Sequence, residues 1–246
     1  MISFSVVNIA GNYDLGTIHS IVNETPVCHV SFAPDPADPF PAILPMIGVM
    51  GSFDFPSASL DEPMDCYLHG YVSSRIMNLA RASEQGLPLC VAATRVDGVV
   101  LSLTPNSHSY NYRSAVLHGY GNVVETKEEK LYAMQLITDS VVRNRWENSR
   151  TPPDAAEMQS TVILKVSVVS GSGKIRDGGP HDENKDQSRD ELTEKIWTGV
   201  MPLWETFGEP VSSPLNRVEQ VPEHITSHRA EVNQRNEEYA KSAATE

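Results

Sequence analysis

Apolar and polar positions alternate along several short runs of the chain. That period of two predicts strands over residues 27–32 (VCHVSF), 42–50, 89–95, 99–104, 114–124 and 161–169. Prolines 34, 36, 39 and 41 mark an irregular loop between the first two. Pro45 lies inside the second run, so one side of it must be an edge, a bulge or a ligand surface. Residues 96–98 (VDG) separate two β-rich runs, and Asp-Gly in that setting predicts a hairpin turn.

Helical periodicity is rarer. Ser73 or Ser74 can cap a helix running to about Ser83, with Ile76, Leu79 and Ala80 on one face and Gly86 beyond its end. Thr126 and Glu129 form a T-x-x-E box that opens a second helix with an apolar stripe of Leu131, Met134, Ile137 and Val141. Thr151-Pro152-Pro153-Asp154 predicts the start of a short third helix. Residues 171–195 hold no apolar cluster and read as an exposed linker, with order returning over 196–203 (IWTGVMPL). From Glu219 the tail is polar and reads as frayed helix or unstructured chain. The pattern predicts an α+β fold, a small barrel with helical covers, as one domain over 1–205 followed by a polar extension over 206–246. No Gly-rich strand-to-helix turn is present, which disfavours a Rossmann sheet.

Composition narrows the partners. The 246 residues are 40% hydrophobic and 21% charged, an ordinary globular mix. Nineteen Lys and Arg against 32 Asp and Glu leave a net charge of −13, which argues against nucleic acid or an anionic membrane as main partner. Cys28, Cys66 and Cys90 are odd in number and lack metal-ligand spacing. With an N-terminus that carries no basic leader, they are expected as reduced thiols in the cytoplasm. No Lys or Arg precedes Arg75.

Two segments carry candidate chemistry. In residues 66–79 (CYLHGYVSSRIMNL) a β-type run ends at Gly70, and Ser73-Ser74-Arg75 opens a helix. A helix N-terminus attracts phosphate through its unpaired N–H groups, and two hydroxyls with a guanidinium add donors. The plainer alternative is a capping serine and a solvated arginine. In residues 105–121 (PNSHSYNYRSAVLHGYG), His108, Tyr110 and Tyr112 precede Arg113 at a strand start, which suits a ligand rim or, equally, an ordinary turn with exposed tyrosines. Trp197 read alone is a packing anchor. No nucleophile elbow, zincin motif, P-loop or zinc-spaced Cys–His set is present, and His29, His69, His108 and His118, each alone on or near a strand, point to no metal.

The order of these parts (YLHGYVSSR, then HSYNYRSAVLHGYGNVVE, a helix, a strand ending GKIRDGGP, and WTGVMPL) resembles the flavin-nucleotide-binding proteins of the pyridoxamine 5′-phosphate oxidase-like split β-barrel superfamily, near its nitroimidazole-reductase-like branch. The resemblance covers roughly 18–205. It implies an antiparallel six-stranded Greek-key barrel with flanking helices, and a homodimer with FMN sites at the subunit interface. It places the ribityl phosphate at Ser73, Ser74 and Arg75. Ile76 and Met46 stand where relatives carry lysines, so Arg113 with Ser114, and Lys174 or Arg176, become the candidates to supply the missing charge. Pro45, Met46 and Ile47 would run along the isoalloxazine, His69 would lie beside it, and Trp197 would cover it. The arginine-rich C-terminal signature that grips pyridoxal phosphate is missing, which argues against pyridoxamine 5′-phosphate oxidation. The implied function is FMN-dependent transfer of hydride or electrons between a reduced nicotinamide and a small organic acceptor, with His69 as proton donor or acceptor and His108, Tyr110 and Tyr112 at the substrate rim. The alternative is a non-catalytic barrel that holds FMN or haem for storage or sensing.

Overall fold

The computed structural model describes residues 14–35 and 37–245, together with the backbone of Ser3–Phe4; the N-terminal stretch read for a leader lies outside them. The strands are β1 (Ser3–Phe4), β2 (Cys28–Phe32), β3 (Ala42–Met46), β4 (Gly48–Gly51), β5 (Asp65–Tyr71), β6 (Leu87–Leu101), β7 (Ser109–Val123), β8 (Thr161–Arg176) and β9 (Gly199–Pro202). They form one sheet in the order β3-β2-β6-β7-β8-β5-β4, with β1 on β8 and β9 on β6 off this path. The helices are α1 (Leu15–Glu24), α2 (Arg75–Ala82), α3 (Lys127–Val141), α4 (Ala155–Ser160), α5 (Asn184–Gln187), α6 (Asp190–Thr193) and α7 (Glu223–Ser242). This is the α+β split-barrel class, an open sheet with flanking helices. The residues divide into two compact units, 1–94 with 114–174 and 95–113 with 175–246.

In the first unit, β3 is an edge strand, which is why Pro45 is tolerated inside it. The expected single run over 42–50 breaks at Ile47 into β3 and β4. Helix α1, unforeseen from the sequence, is capped by Asp14, whose carboxylate accepts from the Thr17 N–H at 2.9 Å. Its buried face is Ile18, His19, Ile21 and Val22.

Helix α3 departs from its predicted stripe. It buries Glu129, Ala133 and Ile137, while Val141 is exposed. Thr126 caps the Glu129 N–H at 3.3 Å, but the Glu129 carboxylate does not close the box. Instead it accepts from the Tyr67 hydroxyl at 3.0 Å and from Lys165 Nζ at 2.7 Å. Those partners offset the cost of burying a carboxylate, so the polar edge of the helix turns inward. The core beside it is Val49, Tyr67, Val124, Ala133, Ile137 and Ile163.

In the second unit the Asp-Gly hairpin is replaced by a continuous strand. β6 runs straight through Asp97-Gly98, and Asp97 is 4% exposed. Its carboxylate accepts from Arg113 Nε at 3.1 Å and Nη2 at 2.9 Å, a bidentate pair, and Tyr239 of α7 stacks on the same guanidinium at 3.4 Å. Gly98 is needed because β9 lies against it: a Cβ there would stand 2.9 Å from Val200 Cγ1. The true β6–β7 connection is 102–108, tied by Ser102 Oγ donating to the Ser107 carbonyl at 2.8 Å.

The expected linker shrinks, because β8 continues to Arg176 and α5 and α6 follow. The polar tail is a 20-residue helix rather than frayed chain. Side-chain-to-backbone bonds hold it where apolar contacts are few. Asn236 donates to the Glu205 carbonyl at 2.9 Å, and Asn233 exchanges bonds with Phe207. At its end the Ala243 carbonyl accepts from Gly178 N at 2.8 Å and Asn111 Nδ2 at 2.7 Å.

The buried His19 generates a pH dependence. Its Nδ1 lies 2.7 Å from the Leu60 carbonyl, its Nε2 is buried without a partner, and burial pushes its pKa below the ordinary 6.5 despite Asp61 nearby. A base whose native pKa is depressed stabilises the fold above the unfolded value, and that contribution is lost as pH falls below about 6.5, because only the unfolded chain takes up the proton. Urea unfolding of wild type is expected to weaken between pH 6.5 and 5 more steeply than that of His19→Gln. Parallel profiles would contradict this assignment.

Candidate functional site

The β5–α2 corner assembles most of the expected site in the first unit. Gly48 of β4 pairs with Leu68 of β5, which brings the 45–47 segment toward the end of β5. A Cβ added to Gly70 would come 2.9 Å from Met77 Cε, 3.7 Å from Ser74 Oγ and 3.8 Å from Met46 Cε. Gly70 therefore keeps a floor on which Met46, Ser74 and Met77 meet. The turn is closed by Ser74 N donating to the Tyr71 carbonyl at 3.0 Å, and Val72 N donates to the Ser160 carbonyl at 3.1 Å.

Ser74 is the N-cap residue of α2, yet its side chain caps no N–H. Its Oγ is buried and has no partner. A buried hydroxyl without a bond costs about 1–3 kcal/mol, so this atom stands ready for a group the protein chain does not supply. Helix α2 leaves its first N–H groups without intrahelical acceptors at the same end. Arg75 is exposed and makes one long contact, Nη2 to the Pro34 carbonyl at 3.4 Å. Ser73 is exposed, and its carbonyl accepts from Asn78 Nδ2 at 3.3 Å. A phosphate ester meets these residues well: an orphan hydroxyl, a guanidinium and a helix N-terminus lie within three consecutive positions.

The other predicted residues fall as follows. Pro45 is exposed on the edge strand, Met46 is half-buried, and Ile47 packs against the α3 core, so its backbone is what remains for a ligand. His69 is exposed near the end of β5, opposite Ile163. Ser114 Oγ donates to the Lys174 carbonyl at 3.3 Å, so these two are neighbours through that bond. Arg113 lies in the second unit, buried, with its fork engaged by Asp97. In that unit too, Arg176 bonds to Asn111 Oδ1 and to the Gly179 carbonyl at 3.3 Å. His108 Nδ1 accepts from Ser102 N at 3.0 Å, Tyr110 is exposed and Tyr112 half-buried. Trp197 is 64% exposed and lies against Gly199, where a Cβ would stand 2.8 Å from its indole Cη2. Sequence reasoning missed Gly70 and Met77, although Gly at a strand end is a signal for close approach.

The family model for pyridoxamine 5′-phosphate oxidase matches residues 14–175. The chain belongs to the pyridoxamine 5′-phosphate oxidase-like family. Among solved structures, the flavocytochrome Anf3 from Azotobacter vinelandii is 25% identical with a TM-score of 0.71, covering 89% of this chain and 91% of that one. The FAD and heme binding protein from Mycobacterium smegmatis is 23% identical with a TM-score of 0.67, covering 85% and 92%. A protein from Bacteroides thetaiotaomicron described as a 5-nitroimidazole antibiotic resistance protein is 18% identical with a TM-score of 0.49, covering 66% and 84%. No relative was found among curated proteins. Among the described residues no helix is long and apolar enough to cross a membrane.

Ser74→Ala should behave unlike an ordinary N-cap replacement, which costs about 1 kcal/mol. Because the hydroxyl caps nothing and is buried unbonded, the ligand-free variant should lose no stability in urea unfolding. A loss of about 1 kcal/mol or more would show that the hydroxyl does cap α2 in solution.

Proposed function

We propose that this protein is a flavin-binding oxidoreductase that moves hydride or electrons between a reduced nicotinamide and a small organic acceptor. The observation that carries the reading is the orphan Ser74 hydroxyl beside Arg75 at the start of α2, within a family fold whose relatives include a flavocytochrome and an FAD- and heme-binding protein. The FMN moiety, whether alone or as part of FAD, would place its 5′-phosphate at Ser73, Ser74 and Arg75. When bound, the flavin supplies the two-electron redox chemistry. The chain's own residues do the rest. Arg75 would grip the phosphate with its planar fork, the backbone of Pro45, Met46 and Ile47 would be available to the ring, and His69 would hold or hand over a proton at its imidazole. His108, Tyr110 and Tyr112 would contact the substrate, and Trp197 would cover the ring.

Two copies of the chain would share the flavin sites as a homodimer. The three free cysteines suit the reducing cytoplasm: Cys28 and Cys66 are buried, and burial pushes the Cys28 thiol up to about 11, so it stays protonated and unreactive. With no arginine-rich C-terminal signature, pyridoxamine 5′-phosphate is not the favoured substrate.

A second reading, haem binding beside or in place of flavin, is favoured by the likeness to the flavocytochrome. The absorption spectrum of the purified protein separates the two, by paired flavin bands or a Soret band.

The test of the main reading is fluorescence titration with FMN and riboflavin. Arg75 is the cation at the start of α2 itself, so Arg75→Ala should weaken FMN tens- to hundreds-fold, beyond the roughly 1.5–3 kcal/mol of one charged hydrogen bond. Riboflavin, which lacks the phosphate, should bind both proteins alike, and Arg75→Lys should restore only part of the FMN affinity. A folded Arg75→Ala protein with wild-type FMN affinity would refute the assignment.

A further inference from the structure

Two further cations lie at the corner where the β5–α2 turn meets α4. Arg81, in the last turn of α2, reaches back so that Nη1 donates to the Val72 carbonyl and to Asn78 Oδ1, each at 2.9 Å. Lys130 of α3 donates to the Met158 carbonyl of α4. The Val72 N–H to Ser160 carbonyl bond, at 3.1 Å, ties those two anchor points into one corner. Lys130 is half-buried, and burial, with the Arg81 charge adding to it, pushes its pKa down.

The balance of charge here is unusual for this chain. Acids outnumber bases 32 to 19, and the cations that meet buried carboxylates are matched to them: Arg113 with Asp97 at 2.9 Å and Lys165 with Glu129 at 2.7 Å. Neither Arg81 nor Lys130 has a carboxylate partner among the described residues. Like charges held together are unfavourable until an anion comes between them. Backbone carbonyls orient both heads yet use few donors: Arg81 keeps Nε and Nη2, and Lys130 keeps two of its three protons.

We propose that Arg81 and Lys130 form a second anion site that takes a phosphate ester other than the flavin's own 5′-phosphate. The proposal rests on the flavin reading above, because Val72 stands two positions before Ser74 and the two sites flank one turn. Two ligands carry such a group: the adenylate half of FAD, and a nicotinamide dinucleotide.

The experiment titrates full-length wild type and the double variant Arg81→Gln/Lys130→Gln with FMN, FAD and, on flavin-loaded protein, NADPH, reading flavin and nicotinamide fluorescence. The double variant should lose affinity about ten-fold or more for FAD or for NADPH while its FMN affinity stays within about two-fold, as expected when one charge-assisted contact set is removed. A fall in the FAD-to-FMN ratio assigns the site to the flavin dinucleotide. A fall for NADPH with that ratio unchanged assigns it to the nicotinamide dinucleotide. The charge-preserving variant Arg81→Lys/Lys130→Arg should keep most of the preference, which separates loss of the site from loss of fold. Unchanged affinity for all three ligands, or equal weakening of FMN and FAD without an NADPH effect, overturns the second site alone. A wild-type protein that binds none of them overturns the flavin reading as well.

Discussion

A helix cannot satisfy its own first N–H groups, and the site depends on where α2 leaves them. Strand β5 ends at Tyr71, and α2 begins at Arg75 after a three-residue turn. The turn closes on the Tyr71 carbonyl, so the N-terminus of α2 is fixed relative to the sheet rather than carried on a free loop. Gly70 admits Met77 to the floor below it, where a Cβ would push the Met77 methyl aside, with Met46 in contact alongside. The Ser74 hydroxyl is thereby sealed in without a bond. Packing beneath the turn and unmet hydrogen bonding above it are thus two results of the same constraint.

The second constraint is charge. A chain of net charge −13 that buries carboxylates must spend cations on them. Glu129 takes Lys165 and the Tyr67 hydroxyl, and Asp97 takes both arms of Arg113 with Tyr239 behind it. Removing one partner of such a pair leaves an uncompensated buried charge, at about 3–5 kcal/mol, so these cations are committed to the fold. Arg113 matched the missing phosphate charge by residue type alone, but its fork is already occupied by a carboxylate. Among the described residues, Arg75, Arg81 and Lys130 at the β5–α2 corner bond to backbone carbonyls and have no carboxylate partner, which leaves their charge open to a bound anion.

What could be read from the sequence follows from which forces are local. Strand periodicity placed most of the sheet, and Ser-Ser-Arg after a β-type run marked the start of α2, since capping and phosphate binding both need residues next to one another. The Asp97-Gly98 turn failed because the same dipeptide serves a buried ion pair with the next strand and a close approach of β9, neither of which is local to the dipeptide. Helix α3 was found but rotated, since nothing local reveals that Lys165 waits for Glu129. Helix α7 was read as frayed because its anchors are single amides reaching distant carbonyls, a signal that hydrophobic patterning does not carry. The floor of Met46, Gly70 and Met77 exists only once β4 has paired with β5.

The measurement that addresses the central claim most directly is amide NMR of the isotope-labelled protein during titration with FMN and, separately, with riboflavin. If the phosphate is held at the start of α2, the backbone amides of Arg75, Ile76 and Met77 should shift strongly with FMN and little with riboflavin, while the amides beside Pro45 and His69 respond to both. Equal responses of Arg75–Met77 to the two ligands, or none to FMN while FMN binds, would contradict the account.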